Sequence, residues 1–191
     1  GAAVRRIFEA KGRPQDNPLI LHVPDGTWLD RCCAAVPPLA RRLAEAFWPG
    51  PLTMIFNRSS IVPDEVTAGL DTVAVRMPLN KTARALINAA GVPLAAPSAN
   101  LSGKPSPTTA EHVRQDMDGR VDLIIDGGPC EYGLESTVVS LIGRPTILRP
   151  GAVTKEMLEA VIGPVDVAHA VLSPLREGET AASPGMKYRH Y

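Results

Sequence analysis

Apolar positions along this chain repeat with two periods, and the changes from one to the other divide it into helices and strands. Residues 2–10 place Ala3, Val4, Ile7 and Phe8 on one side at helical spacing, with Gly12 as the stop. Residues 36–48 do the same with Leu39, Leu43, Ala46 and Phe47. Pro37 and Pro38 fall in that helix's first turn, where a missing N–H costs nothing. A third helix spans 81–90, with Ala85, Leu86, Ala89 and Ala90 turned inward and Gly91 closing it. Thr109 is suited to cap a fourth over 110–117, and Thr154 a fifth over 155–162. A short helical pattern lies within 63–70. Between these, brief runs rich in branched residues read as strands over 19–23, 52–56, 71–76, 92–96, 121–125, 138–142 and 146–149. Gly143-Arg-Pro145 is a tight turn that makes the last two antiparallel neighbours, so the sheet is mixed. The predicted fold is α/β, a twisted mixed sheet flanked by helices with a ligand cleft at the strand ends.

Composition narrows the picture. A length of 191 residues suits one domain able to bury a core, and the periodicity carries it over 1–172. Residues 173–191 change to a linker composition, Ser173 to Gly185, that ends in Met186-Lys-Tyr-Arg-His-Tyr191. Lys+Arg and Asp+Glu are both 20, which argues against direct nucleic-acid binding or a membrane surface through bulk charge. No run approaches the roughly 18 apolar residues of a membrane span. Three cysteines, two of them adjacent at Cys32 and Cys33, form no disulfide or metal pattern and fit a reducing, cytoplasmic setting.

The candidate chemistry concentrates after the run 92–96. The chain there breaks into Ser98, Ser102, Ser106, Thr108 and Thr109, with Lys104 as a cation and Pro97, Pro105 and Pro107 stiffening the backbone. A rigid hydroxyl-rich loop between a strand and a helix start suits an anion such as phosphate. Lys11 and Arg13 flank Gly12 between the first helix and strand, either beside a ligand or as a solvated pair. Arg76 closes a strand before Pro78, placed to pair with a carboxylate or simply to cap the strand end. His22 at a strand end reads first as a structural histidine. No Walker motif, GxGxxG or Ser-His-Asp arrangement is present.

The phrase Ala96-Pro-Ser-Ala-Asn-Leu-Ser-Gly-Lys-Pro-Ser-Pro-Thr108 resembles the signature of the YrdC-like threonylcarbamoyl-AMP synthases. Lys11-Gly-Arg-Pro, then Asn17-Pro-Leu and His22, is similar to that family's KxRP…NPL…H pattern, and Phe47-Trp-Pro-Gly-Pro-Leu-Thr53 looks like another of its phrases. Ser183-Pro-Gly-Met-Lys-Tyr-Arg-His-Tyr191 resembles the linker of its long forms, which leads to a second domain. The family's PTxTxYGLG motif would precede the first helix, with Gly1 as its last residue. The resemblance implies a nucleotidyltransferase that converts ATP, L-threonine and bicarbonate to threonylcarbamoyl-AMP and pyrophosphate. It further implies that a tRNA threonylcarbamoyl transferase receives the product for the threonylcarbamoyladenosine modification of tRNA. It implies Lys11 and Arg13 as the catalytic pair, and Arg13, Asn17, Thr72, Ser98, Ser106, Arg149 and Tyr191 on ATP, with Tyr188 a weaker candidate. His22, Arg76, Ala96 and Ser136 fall to the threonine. Mg²⁺ is implied as a cofactor bound through ATP, with no metal ligands from the protein. Two rivals are an RNA-binding module, disfavoured by neutral charge and few aromatics, and a carbamoyl-transfer domain of the hydrogenase-maturation type, disfavoured by the linker.

Overall fold

The computed structural model describes residues 1–172; the linker reading of 173–191, with Tyr188 and Tyr191, lies outside the described residues. Seven strands form one mixed sheet: β1 (Ile20–His22), β2 (Leu52–Asn57), β3 (Thr72–Arg76), β4 (Leu94–Ala96), β5 (Thr137–Ser140), β6 (Thr146–Arg149) and β7 (Asp166–Val167). Their order is β4-β1-β3-β2-β5-β6-β7. β1 runs parallel to β3, β2 to β5 and β6 to β7, while β4–β1, β3–β2 and β5–β6 are antiparallel.

Alternation along the strands assigns each face. Leu21, Leu52, Met54, Phe56, Val73, Val75, Val139 and Ile147 point into one large core. Helices cover it: α1 (Ala2–Lys11) with Phe8, α2 (Leu29–Cys32) with Leu29, α3 (Pro38–Phe47) with Ala40 and Leu43, α4 (Asp64–Thr67) with Val66, and α7 (Lys155–Ile162) with Leu158. Each of the larger side chains buried there is worth about 1.5–3 kcal/mol over exposure. The intervening residues Ile20, Ile55, Ala74 and Val138, joined by Leu148, make a much smaller cluster on the opposite face. One face of the sheet is therefore a thick core, and the other is free to build a cleft.

The caps follow the sequence. Gly12 ends α1 at φ 60°, a left-handed conformation that costs glycine least, and its N–H returns to Phe8 and Glu9 carbonyls. Thr109 and Thr154 accept from the N–H groups of His112 and Met157 at the starts of α6 (Ala110–Met117) and α7.

Four expectations are corrected. In α5 (Lys81–Ala90) the inward stripe is Ala83, Arg84 and Ile87, while Ala85, Leu86, Ala89 and Ala90 are exposed. Ala46 of α3 is exposed as well. Alanines fix a helix face weakly because they bury little area whichever way they turn. The run 92–96 yields not a buried strand but β4, a half-buried sheet edge. Residues 121–125 lie in no ladder among the described residues, and Val121, Leu123 and Ile125 are exposed. Three short elements, α2, β7 and α8 (His169–Leu172), have no counterpart among the elements the sequence pattern predicts.

Candidate active site

The cleft lies on the thin face of the sheet. β1 and β3 are parallel and in register, so His22 and Arg76 are side-by-side neighbours, two residues beyond Ile20 and Ala74. Arg76 Nε donates to Gly50 O at 3.0 Å, which fixes the guanidinium at the strand end. Ser136 immediately precedes β5 and Arg149 closes β6. Together with Lys11, Arg13 and the loop after β4, these residues line a cavity of about 610 Å³.

Lys11 organises that loop. Its buried ammonium donates to the carbonyl oxygens of Ser98 and Asn100 and reaches Asn100 Oδ1 at 3.4 Å. Its own carbonyl accepts from Ser102 N at 3.0 Å. Asn100 Nδ2 continues the network to the carbonyls of Leu101 at 3.0 Å and Lys104 at 2.7 Å. Asp116 of α6 takes Leu101 N at 3.2 Å and Lys104 Nζ at 2.5 Å. The strand-loop-helix unit is thus tied to the end of α1 from within. Burial, reinforced by nearby Arg13 and opposed by Asp116, lowers the Lys11 pKa to about 8.

The other named residues take distinct places. Arg13 donates to the carbonyls of Asn17 at 3.4 Å and Pro18 at 3.0 Å. Asn17 lines the cavity with no exposed surface, and both its amide atoms lack a hydrogen-bond partner among the described residues. Ala96 ends β4 opposite Ile20. Ser98 is exposed at the cleft, and Ser106 Oγ donates to Glu135 Oε1 at 2.6 Å. Ser136 is held twice: Thr53 Oγ1 lies 2.7 Å from its hydroxyl, and Arg149 donates to its carbonyl at 2.9 and 3.1 Å and to its hydroxyl at 3.1 Å. Gly151 lies so close behind that a Cβ there would stand 2.5 Å from Glu135 O and Thr137 N. Thr72 starts β3, four residues and about 13 Å along the strand from Arg76, and does not line this cavity.

Charge divides sharply. Lys11, Arg13, Arg76, Lys104 and Arg149 all line the cleft, against one carboxylate, Glu135, among the described residues. Burial, and then the neighbouring Arg76, lower the His22 pKa to about 4 against the opposing pull of the Ile20 and Leu94 backbone, so the ring is neutral at physiological pH, and its buried Nδ1 has no close hydrogen-bond partner among the described residues. A cleft with this balance attracts anions and offers a carboxylate an arginine beside a neutral imidazole. No group of three or more His, Cys, Asp or Glu that could hold a metal ion occurs among the described residues. Sequence pattern alone does not mark Asn100, Asp116, Glu135 or Thr53 as site residues. Thr53 left one signal, a hydroxyl inside the apolar run Leu52-Thr-Met-Ile-Phe56.

Comparison with known proteins gives a consistent result. The family described as "Telomere recombination", which groups Sua5, YciO and YrdC, matches residues 1–151. The chain is 53% identical to the threonylcarbamoyl-AMP synthase of Bacillus subtilis, across 99% of this chain and 54% of that protein. It is 52% identical to the enzyme of the same name from Pyrococcus abyssi, across 99% of this chain and 55% of that one. The crystal structure of P. abyssi Sua5 complexed with L-threonine superposes with a TM-score of 0.94 at 51% identity, covering all of this chain and 56% of that one. The chain spans about half the length of the curated relatives it matches.

Proposed function

Because the chain belongs to the family that groups Sua5, YciO and YrdC, we propose that it carries the catalytic cleft of a cytoplasmic L-threonylcarbamoyl-AMP synthase. Its substrates are ATP, L-threonine and bicarbonate, and its product passes to a tRNA threonylcarbamoyl transferase. The observation that carries this reading is the cleft itself: cations gathered around one carboxylate, with Arg76 beside a neutral His22.

The chemistry needs alignment more than a covalent catalyst. Arg76, its Nε committed to Gly50 O, turns its terminal nitrogens to the threonine carboxylate, and neutral His22 adds no charge against the threonine amine. Bicarbonate takes a proton from the threonine ammonium and breaks down to CO₂ and water. The freed amine then bonds to the CO₂ carbon and gives up a second proton to solvent, leaving a carbamate. A carbamate oxygen then attacks the α-phosphorus of ATP; the new P–O bond forms as the bond to the β-phosphate bridging oxygen breaks, and pyrophosphate leaves with the electron pair. Arg13, Asn17, Ser98, Ser106 and Arg149 hold the nucleotide, and Lys11 fixes the loop that carries the two serines. Preorganised donors of this kind stabilise the charge on the leaving phosphates without reorganisation. Water exclusion protects the carbamate. Mg²⁺ bound through the phosphates supplies further charge neutralisation, and a lining set of hydroxyls with one carboxylate suits an ion held mainly by nucleotide and water.

The test is pyrophosphate release with Mg²⁺, ATP and bicarbonate, with L-threonine, with serine and with no amino acid. Threonine-dependent release is expected. Turnover with carbamoyl phosphate in place of bicarbonate would favour carbamoyl transfer, and salt-sensitive RNA binding without release would favour an RNA module.

A further inference from the structure

We infer that Thr53 is a positioning residue for the amino-acid substrate: its buried hydroxyl donates to Ser136 Oγ and obliges the Ser136 O–H to donate into the cleft. Thr53 is fully buried on β2, in register with Val138 of β5 and two residues from Ile55 on the thin face of the sheet. Its Oγ1 stands 2.7 Å from Ser136 Oγ, and either atom could be the donor.

Hydrogen-bond bookkeeping selects one arrangement. A serine hydroxyl has one proton to give and two lone pairs to receive. Arg149 carries no acceptor, so its 3.1 Å contact fills one lone pair of Ser136 Oγ. If Ser136 gave its proton to Thr53, the Thr53 proton would be buried with no acceptor among the described residues, a costly arrangement. If Thr53 donates instead, both lone pairs of Ser136 are filled, and its proton turns outward to the cavity that Ser136 lines. The outcome is a hydroxyl preset as a donor, suited to an acceptor oxygen of a carboxylate or carbamate. Neighbouring contacts hold the geometry: Thr137 N donates to Pro51 O at 3.0 Å, the Thr137 side-chain hydroxyl to Val153 O at 2.6 Å, and Gly151 packs against the segment from behind. The inference rests on the synthase reading for the identity of the ligand.

Calorimetric titration of the chain with L-threonine tests it, using Thr53→Val, which keeps the shape and removes the hydroxyl, and Thr53→Ser, which keeps the hydroxyl. Thr53→Val should weaken threonine binding about tenfold, and Thr53→Ser by less than about twofold. In a Ser136→Ala background Thr53→Val should add nothing, because Thr53 acts through the hydroxyl already removed. Thr53→Ala replaces valine if that variant does not fold. Unchanged binding by Thr53→Val, equal loss in Thr53→Ser, or an additive loss on Ser136→Ala would each overturn the role of Thr53 and leave the synthase reading intact. Absence of threonine binding by the unsubstituted chain would overturn both.

Discussion

At the end of β1 a histidine sits beside an arginine, and burial makes it costly for both to be charged. His22 therefore titrates near 4 in the folded chain, against 6.5 for a free imidazole. Between those values the unfolded chain binds a proton that the folded chain refuses, so His22's contribution is complete above pH 6.5 and is lost as pH falls toward 4. The loss is on the order of 3 kcal/mol. Urea unfolding at pH 7 and pH 4.5 checks it: the unsubstituted chain should lose more stability than His22→Gln, and parallel curves would refute the assignment. The neighbouring arginine gives a prediction on binding. If Arg76 receives the threonine carboxylate, Arg76→Ala should weaken threonine binding by about 2–3 kcal/mol, roughly a hundredfold, because charged hydrogen bonds are lost. ATP affinity should stay within about threefold, and equal loss of both ligands would remove Arg76 from the threonine subsite.

The element that makes the cleft is the loop after β4, and Lys11 is what holds it. Lys11→Met keeps an apolar stem of similar length but removes every donor to Ser98 O, Asn100 O and Asn100 Oδ1. The opening free energy of residues 97–109 should fall by about 2 kcal/mol, seen as roughly thirtyfold faster amide exchange there. Exchange in β2 and β3 should stay the same; uniform acceleration would mean that Lys11 supports the whole fold rather than this loop. The elements were legible to different degrees for physical reasons. Helices α1, α3, α6 and α7 were readable because large apolar residues, prolines, glycines and capping threonines agree within one turn of sequence. The inward face of α5 is hard to read from sequence because alanines surround Ile87 and carry little weight in deciding it. The run 121–125 has strand-forming residues, but a ladder needs a neighbour, and propensity does not provide one.

Across the whole molecule, a formal net charge of zero conceals a separation that only folding creates. Lys11, Arg13, Arg76, Lys104 and Arg149 lie as far apart as 138 positions along the chain, yet all reach one cavity. The loop's hydroxyl-rich sequence pointed to that cavity. The partnership of Thr53 with Ser136 and of Lys11 with Asn100 did not show, because each is a contact between distant segments. This separation has a measurable consequence. Screening shortens the range of charge interactions from about 10 Å at 0.1 M salt to about 3 Å at 1 M. A nucleotide triphosphate drawn by the cleft's positive potential should therefore bind about fivefold or more weakly at 0.5 M KCl than at 0.05 M. Threonine carries no net charge at neutral pH, so its long-range attraction is small and its affinity should change by less than about twofold. Titrations of both ligands across that salt range decide the matter. A flat response for ATP would mean that its recognition rests on short contacts such as those proposed at Asn17 and Ser98 rather than on the gathered cations, and equal slopes for both ligands would point to a change in the protein itself.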